Sequence, residues 1–237
     1  VSDSAIGPRE KRRRETIRQI VELARARTAR EGLSGYTVEE LCEAVGISRR
    51  TFFNYFASKE DAVLGILVAP GEEELEAAFV AGERPHAAGE ASAVRREGGG
   101  EPVSPVHADR PGPGGLGAGL FDDFLELQLA RWRLAAPLVT NLDSLRAAVE
   151  REPRLHTRIL ERIRSNELRD TALIERREGL EPGDARADTL VHLVGGLSRA
   201  VAAEYFRRTD LVELDPDDLA ERFAERAALA RALLAAP

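Results

Sequence analysis

The sequence predicts an all-α protein of two parts, a small head and a larger helical body. Three observations predict it. Residues 37–59 spell two short helices around a glycine turn with a third helix beginning. Apolar residues recur at helical spacing through most of the remaining chain. Charge is divided unevenly: residues 1–60 hold 12 Lys and Arg against 9 Asp and Glu, net +3, while the rest holds 22 against 32, net −10. A basic head on an acidic body draws a polyanion to one end and keeps it off the other.

The central stretch reads TVEELCEAVGISRRTFFNYFASK. Thr37 caps the first helix and Glu40 completes a capping box. Leu41, Cys42 and Val45 fall on one face. Gly46 stops the helix where a positive φ is needed, and Ile47 plugs the turn. Ser48 caps the second helix, with Phe52 and Phe56 inward and Arg49, Arg50, Thr51, Asn54 and Tyr55 on its other faces. Ser58 caps the third, with Asp61 at N3. A brace helix, a glycine turn and an exposed donor-rich helix make a helix-turn-helix. An inward helix would not set two arginines, an asparagine and a tyrosine beside its core positions. Arg49, Arg50, Thr51 and Asn54 are candidates for base edges in the major groove. Thr37, Ser48, Tyr55 and Lys59 are candidates for phosphates.

TVEELCEAVGI followed by SRRTFFNYFASKEDAV resembles the DNA-binding domain of the tetracycline-repressor (TetR) family of bacterial regulators, over about residues 12–68. The resemblance implies a TetR-like fold of about nine helices. It has an N-terminal three-helix helix-turn-helix domain and a C-terminal helical ligand-binding and dimerisation domain. It also implies a homodimer on double-stranded DNA with a pseudo-palindromic operator, released by a small-molecule effector. One departure stands out: Arg27-Thr28 replaces the Leu-Phe common near the end of the first helix, so looser packing is expected there.

In order along the chain, residues 1–11 are expected to form a disordered basic arm, with Arg9, Lys11, Arg12, Arg13 and Arg14 leading into a helix over 12–31. Ile17, Ile20, Val21, Ala24 and Thr28 share one face of that helix, and Gly32 ends it. The DNA-binding domain is expected over 12–57 and the effector and dimerisation domain over 58–237. A helix from Ser58 or Lys59 to about 83 is expected to kink or break near Pro70. Residues 84–119, with nine Gly and five Pro, read as a flexible insertion. Gly112, Gly114 and Gly117 spell G-x-G-x-x-G there, but no strand precedes them, so no nucleotide site is expected. Helices follow at about 120–135, 141–151, 153–178, 185–207 and 215 onward. Leu219, Phe223, Ala227, Ala230 and Leu233 form a stripe on the last, and the final two helices suit a four-helix dimer interface.

Composition excludes several classes. A single cysteine, Cys42, permits no intrachain disulfide and reads as a buried packing residue. No apolar stretch is long enough to span a membrane, and no signal peptide is visible, so a cytoplasmic location is expected. His86, His107, His156 and His192 lack metal-ligand spacing, and no nucleophile elbow, Walker A or H-E-x-x-H motif occurs. No enzyme activity, metal or cofactor is therefore expected. Trp132, His156 and His192 are candidates for an effector pocket suited to a mainly apolar molecule. The alternative function is a helical small-molecule-binding protein or enzyme with a vestigial DNA head.

Overall fold

The computed structural model describes residues 7–68, 72–83, 117, 119–135, 141–207 and 216–235. Most of the Gly/Pro-rich insertion, with Gly112, Gly114, His86 and His107, lies outside them, as do Pro70 and Gly71. The described residues form ten α-helices and one 3-10 turn, and no strand is found among them. The helices are α1 Pro8–Glu31, α2 Val38–Val45, α3 Arg49–Tyr55, α4 Lys59–Leu64, α5 Glu72–Val80, α6 Leu120–Ala135, α7 Leu142–Arg151, α8 Arg154–Glu178, α9 Ala185–Arg207 and α10 Pro216–Ala235. None of them is long and apolar enough to cross a membrane. Two compact units are distinguished. One comprises Val1–Pro70, Leu134–Asn166 and Leu197–Pro237; the other comprises Gly71–Arg133 and Glu167–Gly196.

Two helix boundaries differ from the sequence expectation, each for a local reason. Helix α1 begins at Pro8, so residues 8–11 form its first turn rather than an arm. Proline suits that position because its fixed φ is helical and its missing N–H would be unpaired there. The helix expected to continue to about 83 stops instead at Leu64. Gly65 takes a left-handed conformation, φ 74°, and the Ile66 N–H donates to Asp61 O at 2.8 Å. The helix-turn-helix glycine does the same: Gly46 has φ 75°, and Ile47 N donates to Cys42 O at 2.9 Å. Both satisfy the last carbonyls of a short helix in a Schellman-type end. The Val68 N–H then donates to Tyr55 O, tying the chain back to the end of α3.

The core of the first unit gathers Ile17, Ile20, Val21 and Ala24 of α1, Leu33, Tyr36, Leu41, Cys42, Phe52, Phe56, Ala62 and Val63. Ala148 of α7 and Leu155 of α8 complete it. Helix α7 packs against both α1 and α4, so a later part of the chain closes the core of the head. Two polar links reinforce this junction. Glu152 Oε1 accepts the Leu33 N–H at 2.8 Å, and a Cβ on Gly32 would lie 2.7 Å from that oxygen. Arg158 donates through Nε and Nη2 to both oxygens of Asp61, at 2.8 and 2.9 Å. Asp61 is only 2% exposed. The carboxylate raises the Arg158 pKa, chiefly through its hydrogen bonds.

Arg27-Thr28 does not loosen the end of α1. Thr28 is fully buried, and its hydroxyl lies 2.8 Å from that of Tyr36, which also donates to Ala24 O. Arg27 extends over the Tyr36 ring. A polar pair thus fills the place expected for larger apolar groups. Arg25 is fully buried beside it and donates from Nε to Val63 O at 2.8 Å. Burial pushes the Arg25 pKa down to about 10, because desolvation penalises the charged form.

The second unit has a different interior. Phe79 of α5 and Phe124 of α6 pack with ring centroids 5.9 Å apart. Leu120, Leu127, Leu173, Ile174, Val191 and Val194 are buried in the same unit. Among these apolar residues runs a chain of ion pairs. Arg131 joins Glu76 at 2.8 Å and Asp170 at 2.6 Å. Arg169 pairs with Glu72 and Glu76, and Arg177 pairs with Asp123 while its guanidinium lies over the Phe79 ring. Gln128 also donates to Asp170. Burial pushes the Asp170 carboxyl up, with Arg131 and Gln128 opposing it.

Candidate nucleic-acid interface

The head presents its donors because local rules fix each short helix. Thr37 Oγ1 accepts the Glu40 N–H at 3.1 Å, and Glu40 Oε2 accepts the Thr37 N–H at 2.7 Å, the reciprocal capping box. Hydrogen bonds from Thr37 hold the Glu40 carboxyl below its ordinary range. Ser48 Oγ accepts the Thr51 N–H at 3.0 Å and lies 2.8 Å from the Thr51 hydroxyl. Phe52 and Phe56, fully buried with ring centroids 5.7 Å apart, anchor α3 from beneath. Arg49, Arg50, Phe53 and Asn54 of this seven-residue helix are left exposed.

The predicted DNA-contacting residues occupy distinct settings on this surface. Arg50 and Asn54 are exposed, and their side chains make no hydrogen bond or ion pair with another described residue. They stand one helical turn apart, so their side chains share a row. Arg49 is also exposed, but its Nη1 lies 2.8 Å from Glu39 Oε1 and its guanidinium covers the Phe53 ring. Thr51 is half-buried and its hydroxyl is shared with Ser48. Tyr55 is half-buried, with Arg13 of α1 over its ring at 5.7 Å, which brings the basic start of α1 to the end of α3.

Lys59 is the most constrained of the set. Its ammonium donates to Leu33 O and Tyr36 O, both at 2.5 Å, and stands 4.6 Å from the Tyr36 ring centroid. Two of its three protons therefore hold the 3-10 turn Leu33–Gly35 against the start of α4. One proton remains for an outside acceptor. Sequence reasoning places Lys59 at a helix N-terminus; the carbonyls that engage it come from more than twenty residues upstream and carry no side-chain signal.

Sequence reasoning also leaves out Glu39, which pairs with Arg49, and Phe53, which is 41% exposed. The signal for Phe53 is its spacing. Phe52 and Phe56 already fill the inward face at i and i+4, so the phenylalanine between them points elsewhere.

The effector candidates are spread over both units. Trp132 is half-buried on α6 and His192 is exposed on α9, its Nδ1 2.8 Å from Asp188 O. His156, on α8, belongs to the first unit and is exposed. No group of three or more His, Cys, Asp or Glu able to hold a metal occurs among the described residues. Cys42 is buried, and burial pushes its thiol pKa up, which disfavours the reactive thiolate.

Residues 20–64 match the family of bacterial regulatory proteins called the tetR family. That segment covers α2, α3 and α4 and the second half of α1. The chain is also 30% identical over 205 residues to the HTH-type transcriptional regulator TcmR of Streptomyces glaucescens, covering 86% of this chain and 79% of that protein. The similarity extends far beyond the DNA-binding head, through both compact units. On the capped helix-turn-helix, its outward donors and a relative matched along most of its length, the chain belongs to the tetR family of DNA-binding transcriptional regulators.

Proposed function

We propose that the protein acts as a homodimeric repressor that reads a pseudo-palindromic operator and is released by a small, mainly apolar effector. The observation that carries the reading is the free row of Arg50 and Asn54 on α3, flanked by Arg49 and the Arg13–Tyr55 pair. Arg50 suits guanine O6 and N7, and Asn54 suits adenine N6 and N7. Thr37, Ser48, Tyr55 and the remaining proton of Lys59 suit phosphates on either side. Thr51 sits between the two groups. Such a protein works in the compartment that holds the chromosome, the cytoplasm.

Dimerisation sets two α3 helices about 34–36 Å apart, one turn of DNA. Leu229 and Leu233 support a dimer through α10: they lie one helical turn apart and are 59% and 77% exposed. Large apolar groups left open in this spacing suit a second copy of the same helix. The second unit is the place for the effector, with Trp132 and His192 as candidate contacts; His156 is exposed on the first unit and is a separate candidate there. An effector acts only through unequal affinity for the DNA-bound and released states.

Selection of random duplex DNA on the full-length protein, followed by salt titration, tests the reading. A recovered palindrome with steep salt dependence is expected. Arg50→Ala is expected to cost about 1–3 kcal/mol and to relax specificity at one base pair. Recovery of no motif, with weak salt-sensitive binding alone, would sink the operator-reading function and favour a ligand-binding protein with a vestigial head.

A further inference from the structure

Beside the Arg50–Asn54 row runs a second one, built from Arg49 and Phe53, also one helical turn apart. Phe53 is 41% exposed although it sits beside the tightest aromatic packing of the head. One side of it meets Phe52 edge to face, with centroids 5.3 Å apart and an interplanar angle of 87°. The Arg49 guanidinium lies 5.4 Å from the Phe53 centroid. The ring is thus held from two directions while part of its apolar surface stays open. Glu39 adds a third constraint, fixing Arg49 through Nη1. That contact leaves Nε and Nη2 of Arg49 without a described partner.

The chemistry of the major groove supplies a match for both free groups. The only apolar group exposed there by an unmodified base pair is the 5-methyl of thymine, and guanine presents two acceptors, O6 and N7. A carboxylate near DNA is ordinarily repelled by phosphates. Paired with Arg49, Glu39 is neutralised and serves to aim the guanidinium rather than to oppose binding.

We propose that Phe53 is a specificity-determining residue that contacts a thymine methyl in each half-site, while Arg49, stacked on its ring and aimed by Glu39, reads the adjacent guanine. This rests on the reading of α3 as the helix in the major groove. It adds a base-reading side chain and a dinucleotide preference that the capped helix-turn-helix alone does not specify.

The test uses the full-length protein and the operator recovered by selection. Each thymine of a half-site is replaced singly by deoxyuridine, which removes only the methyl, and affinity is read by fluorescence anisotropy. One position per half-site is expected to lose about fourfold, the worth of one buried methyl-sized group. In Phe53→Ala the same exchange is expected to have no effect, with a retained cooperative thermal transition in circular dichroism serving as the control for folding. At the neighbouring guanine, 7-deazaguanine is expected to weaken wild type but not Arg49→Ala. A half-site with no methyl-sensitive thymine would overturn the proposal on wild type alone. So would a methyl effect that survives in Phe53→Ala. If wild type selects no site, the operator-reading function fails and this proposal with it; if it selects a site whose thymines are silent, only this proposal fails.

Discussion

The two compact units hold themselves together by different means. The head core is made of rings and aliphatic groups, with Phe52, Phe56, Ile17 and Ile20 essentially out of water. The short helices above it are fixed by caps and glycine ends. The second unit buries fewer rings and relies on arginines, Arg131, Arg169 and Arg177, each joined to carboxylates on other helices. Apolar packing is insensitive to small rotations of a contact, whereas a desolvated ion pair fails abruptly when one partner is lost. The unit that reads DNA therefore has the more tolerant interior, and the other unit the more exacting one.

The largest test of this difference lies in the head. Phe52→Ala is expected to lower stability by about 3–5 kcal/mol in chemical denaturation, because the ring leaves a cavity in the core of the head. A loss below about 1 kcal/mol would show a core that recollapses. Next comes the Asp61–Arg158 ion pair of the head. Arg158→Ala is expected to cost about 2–3 kcal/mol, less than a fully buried pair because the guanidinium is partly in water. The added change Asp61→Ala should then restore part of that stability by removing the stranded carboxylate. A double variant weaker than Arg158→Ala would show that Asp61 has value apart from its partner.

Smaller effects separate caps from charges. Thr37→Ala is expected to cost about 1 kcal/mol by opening the capping box of α2. It should leave circular-dichroism helicity elsewhere unchanged. Asp170 gives the weakest signal and the most specific one. Its folded carboxyl is raised by burial above the ordinary value of 3.8. The proton is thus held more tightly in the folded state, and stability is lost as pH rises through the unfolded and then the folded value. Asp170→Asn removes that loss, so its stability relative to wild type should improve as pH climbs above about 4. A parallel pH dependence for the two proteins would contradict the assigned direction.

Legibility in the sequence follows the same division. The all-α class, the helix-turn-helix and the inward faces of α1 and α3 come from spacing, caps and glycines, which act over a few residues. Ile17, Ile20, Val21, Ala24 and Thr28 are all buried as the periodicity of α1 predicts. What the sequence hides are partners brought together by the fold. Arg158 meets Asp61 across 97 residues, and Arg177 meets Asp123 across 54. No local pattern distinguishes these arginines from the solvated ones around them. Lys59 shows the same limit at close range, since backbone carbonyls have no letter in the sequence. A glycine such as Gly65 stops a helix only where the next residues can complete its end, as Ile66 does.

Ala148 and Leu155, which close the core of the head, have a consequence for how such regulators can be recombined. Heads are tempting modules: were the head a continuous segment, a new operator specificity would need only residues 7–68 grafted onto another body. Here such a graft would carry an unfilled notch against α1, a carboxylate at Asp61 without its cation and a Leu33 amide without its acceptor. The transferable part is instead a discontinuous one, 7–68 together with 142–158. Inheritance of DNA preference in this protein is thus bound to a segment that never approaches the recognition helix in sequence, and a chimaera that ignores it exchanges letters without exchanging the fold that reads with them.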